Sequence, residues 1–435
     1  MKVKLDFASN NIKRGNLKNF LKIGIDVSDD KPKSAKKNTK PVFLIPVLDC
    51  SGSMSSYVND AVCTINSNSM FSMRGISQGL SKLECAKDAT IHLMDLLNDG
   101  DKFAVVSFDD KVYINQQPIS INSKNKKEIQ SNIRKIASGG CTNISGAIET
   151  AFDLFSKVDT SEYNCKIVLL SDGQANVGFD REEQFIPLMS KILSKGISTS
   201  TIGLGNDYDL GIMETISSNC AGSFNHIANA LTIKDIFASE LRTTQDIVCK
   251  DVVVKLALPD MVAFKPNFNS YSEDIRKNNI CITLGNLYNN KDIYYEFSVL
   301  DENAEKVCIS VLVEYETPKG AKTTAIMMKE LLIVEDDEDA GENELVITEV
   351  LEAIKDRYIY GATKSTSACD YDSAKTYYTE TQSCLNSIAA SYSCCNSVSM
   401  QYSDEVEKFS DIISSASSDN LRTTFANTSK KMRNN

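Results

Sequence analysis

Asp49, Ser51 and Ser53 stand at alternate positions in the stretch DCSGS, which follows the apolar run VFLIPVL. Alternate residues of an extended segment point to one side, so their three oxygens aim at a common point. Gly52 between them lets the backbone turn tightly. Two more oxygen-bearing residues hold comparable places. Thr142 lies in the Gly-rich stretch SGGCTNISGAI just before a helical pattern, and Asp172 follows the apolar run IVLLS. Carboxylates and hydroxyls without Cys or His make a donor set for a hard divalent cation. Its small size and near-octahedral preference make Mg²⁺ the expected ion, with Mn²⁺ or Ca²⁺ as substitutes.

The residues around these positions predict a scaffold that brings them to one edge. Between 41 and 242, short buried strands (VFLIPVL, FAVVSF, KIVLLS, STSTIGL) alternate with helical patterns such as Leu80, Leu83, Lys87, Thr90, Leu93 and Leu97. Alternation of this kind predicts an α/β, doubly wound, Rossmann-like parallel sheet. Ligands bind such sheets beyond the carboxyl ends of the strands, where strand order reverses. Residues 243–335 instead alternate strictly, as in Val307, Ile309, Val311, Val313 and Tyr315, which predicts a small antiparallel β-sandwich. The start of the chain, residues 1–40, alternates too but is too short to fold alone. Its strands are expected to complete the sandwich, with SDDKPKSAKKNTKP as a polar crossover. The sheet domain is thus inserted in the sandwich. Residues 336–435 read as a helical C-terminal region. The acidic run EDDEDAGENE forms its linker or helix start. Amphipathic helices follow around Ile347–Tyr358, Ala374–Tyr392 and Val406–Ile413, and a Ser-rich, Lys-tipped end is expected to fray.

Composition narrows the function classes. A net charge of −11 argues against a nucleic-acid partner. No apolar run reaches the roughly 18 residues of a membrane helix. The first residues lack an apolar signal core. Thirteen cysteines, an odd number without any C-x-x-C, predict reduced thiols and a cytoplasmic protein.

The motifs resemble those of the von Willebrand factor A domains. The family's metal-ion-dependent adhesion site combines D-x-S-x-S, a Thr in a G-x-T-N-like loop and an Asp in an S/T-D-G turn. This chain has DCSGS at 49–53, GCTN at 140–143 and SDG at 171–173. The resemblance implies a metal held by Asp49, Ser51, Ser53, Thr142 and Asp172, the two carboxylates binding partly through water. The wider layout resembles inter-α-trypsin-inhibitor heavy chains and similar bacterial proteins, in which an A domain splits a sandwich.

With three neutral hydroxyls among five donors, the ion keeps an open position, which an Asp or Glu of a partner protein can fill. The expected function is therefore a metal-dependent protein–protein interaction module with no catalytic residues. Alternatives are a subunit of an AAA+ or chelatase-like machine, a structural metal site and a metal-dependent hydrolase. A hydrolase needs a general base. The two histidines, His92 in a helix and His226 after a short strand, stand in no catalytic spacing. Composition and motifs leave the oligomeric state open. One departure from the family is an insertion at 57–79, before the helix pattern SKLECAKDA. It is expected to border the metal as a lid or specificity loop, with Asp60 as an internal pseudo-ligand, or else to be a longer helix start or a loop without a role.

Overall fold

The computed structural model of the protein describes residues 1–28, 40–57, 80–257, 259–269, 271, 273–276, 279–317, 320–335, 340–367, 370–413 and 418–434. The insertion beyond Tyr57, including Asp60, lies outside the described residues. The chain forms two compact units, Met1–Asn38 with Ile247–Asn435, and Thr39–Asp246.

The chain starts with β1 (Lys2–Phe7), β2 (Ile12–Lys13) and β3 (Lys18–Asp26), then enters the continuous unit. That unit runs β4 (Val42–Asp49), α1 (Lys82–Asp95), β5 (Lys102–Phe108), β6 (Val112–Ser120), α2 (Lys126–Arg134) and α3 (Ile144–Phe155). It continues with β7 (Asn164–Ser171), α4 (Glu182–Leu193), β8 (Ile197–Leu204), α5 (Leu210–Ser218), β9 (Phe224–Ile227) and α6 (Ile233–Gln245). Its sheet has the order β6-β5-β4-β7-β8-β9. All neighbours are parallel except β6, which returns antiparallel on β5 and closes that edge. Every residue of β4, β7 and β8 is buried. Helices cover both faces, so an unbroken apolar run suits these strands better than alternation. Phe43 packs on Phe155 of α3 with ring centres 4.5 Å apart, while Leu44 and Leu48 join Leu83, Ala86 and Leu93 of α1 in a separate core cluster. Truncating Phe43 to Ala would cost about 3–5 kcal/mol. The chain runs from β4 out to β5 and β6, then returns through α3 to β7 on the other side of β4. Strand order therefore reverses between β4 and β7.

In the discontinuous unit follow β10 (Cys249–Ala257), β11 (Val262–Phe264), β12 (Glu273–Arg276), β13 (Asn279–Leu287), β14 (Lys291–Val299), β15 (Lys306–Glu316) and β16 (Lys322–Val334). One sheet has the order β1-β3-β14-β11 and the other β12-β13-β10-β15-β16-β2. Their inner faces share one core, in which Leu5, Leu21 and Ile23 meet Val254, Ile309 and Val311. The first strands thus pair with strands from far along the chain, Ile25 standing opposite Lys291.

Beyond the sandwich come α7 (Glu344–Ser367), α8 (Tyr371–Ser391), α9 (Asn396–Ile413) and α10 (Ser418–Asn434). The last of these corrects the expectation of a frayed end. Phe425 is fully buried and stacks on Tyr360 at 4.8 Å. Lys431 bridges Glu352 and Asp356 of α7 at 2.7 and 2.8 Å, and the Met432 carbonyl accepts from Asn269. Of the acidic run, Glu344 starts α7 and Glu342 accepts the backbone N–H groups of Ser393 and Cys394. Among the described residues no helix is long and apolar enough to cross a membrane, and the described cysteines are all free thiols.

Candidate metal centre

The strand-order reversal brings the five oxygen-bearing residues together. Asp49 is the last residue of β4, and Ser51 and Ser53 lie in the turn that follows. Asp172 comes directly after β7. Thr142 precedes α3, whose N-cap Asn143 accepts the N–H of Gly146.

The Thr142 loop is tied to the Ser turn through its backbone. Gly139 N–H donates to the Cys50 carbonyl at 2.8 Å, and Gly52 N–H donates to Gly140 at 3.2 Å. On its other flank the loop packs against Asp110: a Cβ on Gly140 would stand 1.8 Å from Asp110 Oδ1 and 3.1 Å from its backbone N. Asn176 fixes Thr142 from the other side, its Oδ1 accepting the Thr142 N–H at 2.7 Å.

Within the site, Ser51 N–H donates to Asp49 Oδ1 at 2.8 Å and Ser171 Oγ to Asp49 Oδ2 at 2.5 Å. Ser51 and Ser53 hydroxyls are 3.1 Å apart, and Ser53 donates to Asp172 Oδ1 at 2.6 Å. The convergence is seen best at Gly173. A Cβ there would meet Thr142 Oγ1 at 3.0 Å, Ser53 Oγ at 3.7 Å and Asp49 Oδ2 at 3.8 Å. Asp49, Ser51, Thr142 and Asp172 are buried, whereas Ser53 is exposed and marks the open side. Burial pushes the Asp49 carboxyl up to about 6; hydrogen bonds from Ser171 and Ser51 pull it down, and the neighbouring Asp172 charge raises it again. Burial likewise pushes the adjacent Cys50 thiol up to about 11.

Oxygen donors from two carboxylates and three hydroxyls around one glycine-lined space fit a hard divalent cation. Among the described residues no three His, Cys, Asp or Glu side chains cluster as a metal cage, so the hydroxyls are what distinguishes this place.

Three contributors escape sequence reasoning. Lys82, the first residue of α1, sets its ammonium 2.7 Å from Asp172 Oδ2. Ser171 holds Asp49. Asp109 is buried after β5, its carbonyl accepting the Asn143 N–H at 2.9 Å and its carboxylate the Lys111 N–H at 2.8 Å. The motifs SKLECAKDA and LLSDG contain Lys82 and Ser171, but their contacts across the fold have no local signature. His92 is exposed on α1. His226 lies within β9, two strands from β7, with its Nδ1 2.9 Å from the Tyr208 hydroxyl.

Comparison with known proteins agrees with this fold. Residues 44–174 match the model of the von Willebrand factor type A domain. Over 167 residues the chain is 27% identical to the uncharacterized protein YfbK of Escherichia coli, covering 38% of this chain and 28% of that protein. Over 149 residues it is 25% identical to the uncharacterized protein sll0103 of Synechocystis, covering 34% of each. The matches thus span about a third or less of these relatives. Among solved structures, it is similar to a von Willebrand factor type A protein from Catenulispora acidiphila, with TM-score 0.66 and 14% identity over 89% of this chain and 87% of that one. It is also similar to the ArnB paralog VWA2 from Sulfolobus acidocaldarius, with TM-score 0.60 and 16% identity over 99% and 97% of the two chains. At such identities the likeness is one of fold. The α/β unit thus has the fold of a von Willebrand factor A domain, and its residues 44–174 carry the sequence match to that domain.

Proposed function

We propose that the A domain is a metal-dependent protein-interaction module, with Mg²⁺ held by Asp49, Ser51, Ser53, Thr142 and Asp172 and an Asp or Glu of a partner protein completing the site. The convergence of the five side chains at the β4/β7 reversal carries this reading. The bound ion supplies a positive charge that a partner carboxylate can meet at one defined point. The chain's own residues do the rest. Ser171 and the Ser51 N–H orient Asp49, the glycine loop sets Thr142, and exposed Ser53 leaves the approach open. A contact of this kind is a charged pin inside a larger interface. Mn²⁺ and Ca²⁺ suit the same oxygens.

No catalytic role is assigned. His226 is engaged by Tyr208 on the far strands and His92 faces solvent, so neither stands as a base beside the site. The net charge of −11 supports a protein rather than a nucleic-acid partner.

The test is capture of partners by the immobilised chain with Mg²⁺ and with EDTA, beside the Asp49→Ala variant, with calorimetric titration of Mg²⁺ into both proteins. Partners retained only with Mg²⁺ and lost in the variant support the proposal. Equal Mg²⁺ affinity of the two proteins would remove the ligand assignment. Partner capture indifferent to EDTA would remove the interaction role while leaving the metal site.

A further inference from the structure

The edge of the six-stranded sheet carries a pattern that the metal centre does not use. β16 pairs with β15 in continuous register from Lys322 to Leu332. On its other side it pairs with β2 only at Ile333 and Val334. Just before that point the Leu332 N–H donates to the Asn11 side chain at 3.2 Å. From Lys322 to Leu331 that second side is hydrogen-bonded to no strand among the described residues. Proteins blunt such edges with Pro, bulges, short strands or charged side chains, and of these β16 has only the last, Lys322, Lys329 and Glu330. β16 is 13 residues long and contains no Pro, and its register with β15 has no bulge. Its outer face also exposes large apolar side chains, Ile326 at 70%, Met328 at 64% and Leu332 at 50%.

The order of side chains on that face points to the occupant. Along the free stretch the outer face reads Lys322, Thr324, Ile326, Met328, Glu330. Turned end for end about Ile326, this row complements itself. Lys322 then faces Glu330 of the second copy, Thr324 faces Met328, and Ile326 faces its own counterpart. The opposite charges fall at both ends and the apolar residues in the middle, the arrangement that stabilises cross-strand pairs. Centred on Ala325 or Met327 instead, Lys322 would meet Met328 or Leu332 and no charges would pair. Ile326 is also close to the middle of the free stretch, so the register that pairs the charges uses the edge from Lys322 to Glu330. Glu330 already reaches Lys306 of its own chain at 2.9 Å, and a carboxylate has acceptor capacity for a second lysine.

We propose that β16 pairs antiparallel with β16 of a second copy of this chain, centred on Ile326, joining the two six-stranded sheets across a two-fold axis. The association buries Ile326 and Met328 from both copies and satisfies the edge N–H and C=O groups of each.

The test is sedimentation velocity of the full chain over a wide dilution series, with and without Mg²⁺. A reversible dimer that is insensitive to Mg²⁺ is expected. Lys322→Glu and Glu330→Lys should each weaken it about tenfold, since each change turns two attractive pairs into repulsive ones. The double variant should restore the dimer, because the exchange recreates both pairs. Under mild oxidation Ile326→Cys should cross-link to its counterpart above the wild-type background, while Thr324→Cys and Met328→Cys should not. Unchanged thermal melts of the variants would show that folding is intact. A monomer at every concentration would overturn the proposal. So would a dimer indifferent to charge reversal, one controlled by Mg²⁺, or cross-linking that favours position 324 or 328 over 326.

Discussion

Strand β7 carries a buried lysine near its start and ends beside the buried Asp49 of its neighbour β4, and the two ends handle charge differently. Near the start, Lys166 meets Glu240 of α6 at 2.7 Å. Glu240 also accepts from Ser200 at 2.7 Å, from Ser223 and from Asn225 at 3.2 Å. Burial alone would raise its pKa, but the lysine and these donors outweigh it and hold the carboxyl below its ordinary 4.5. At the other end, Asp49 meets only N–H and O–H donors, and the nearest charge that raises it is Asp172. One carboxylate is closed by its own protein. The other is oriented without being matched by a side-chain cation. The difference teaches that the amino-terminal part of the strand fastens a helix through a matched ion pair, whereas beside its carboxyl end Asp49 is held by N–H and O–H donors alone.

Breaking the closed end should have the largest effect. Lys166→Met leaves Glu240 buried without its cation, and removing one partner of a buried pair costs about 3–5 kcal/mol. Urea unfolding of the full chain, with hydrogen exchange in β7 and β8 as the regional readout, would measure it. A loss below about 0.5 kcal/mol would mean that the hydroxyl donors suffice without the lysine.

Asp49→Ala should behave in the opposite way. Without added metal its stability should change little or improve, because a desolvated carboxyl is removed. At Mg²⁺ a hundredfold above the dissociation constant, the wild-type chain should gain about 2.7 kcal/mol that the variant lacks. Thermal melts across a Mg²⁺ series check this. Parallel gains in both proteins would place the ion elsewhere.

Acid should reach the closed end with a definite sign. The folded-state pKa of Glu240 lies below its unfolded value, so its contribution is complete above about pH 4.5 and disappears as pH falls through the lower folded value. The loss is a part of the Lys166 effect. Glu240→Gln should flatten that portion of the stability–pH curve, and a variant curve with the same acid slope as wild type would reassign the proton to another group.

The smallest expected effect concerns Lys82, whose ammonium reaches Asp172 and shares its site with any arriving cation. Lys82→Met should tighten Mg²⁺ binding by about fivefold, the scale of one partly exposed ion pair. Calorimetry would show it, and a weakened affinity would mean that the lysine helps to hold Asp172 in place.

Legibility from sequence followed the range of the interaction. The parallel sheet was readable because burial on both faces leaves continuous apolar runs, and the sandwich because burial on one face leaves alternation. The five oxygen-bearing residues stood out because three of them follow one another closely at the end of an apolar strand, although Ser53 lies in a 3-10 turn rather than in extended chain, and the others sit at strand or helix ends. Lys82, Ser171 and Asp109 act on the site through contacts made across the fold, so nothing adjacent to them in the chain announced a role. The α10 helix was hidden for a related reason. Its apolar positions, Leu421, Phe425 and Met432, are sparse, and burial against Tyr360 and the ion pairs of Lys431 compensates for a weak local pattern.

The pairing of β3 with β14 has a consequence for how the molecule is made. Ile25 finds its partner Lys291 only after about 270 further residues have left the ribosome, a delay of roughly 15–50 s at ordinary elongation rates. During that time β1 and β3 form a hairpin with nothing to cover its apolar face, and an isolated hairpin is marginal in water. The A domain, a compact unit made of the continuous stretch Thr39–Asp246, can fold meanwhile. Its folding replaces a long floppy loop with a compact body and so alters the entropy of closing the sandwich. Synthesis therefore imposes an order in which the inserted domain matures first, and the earliest-made strands are among the last to find shelter.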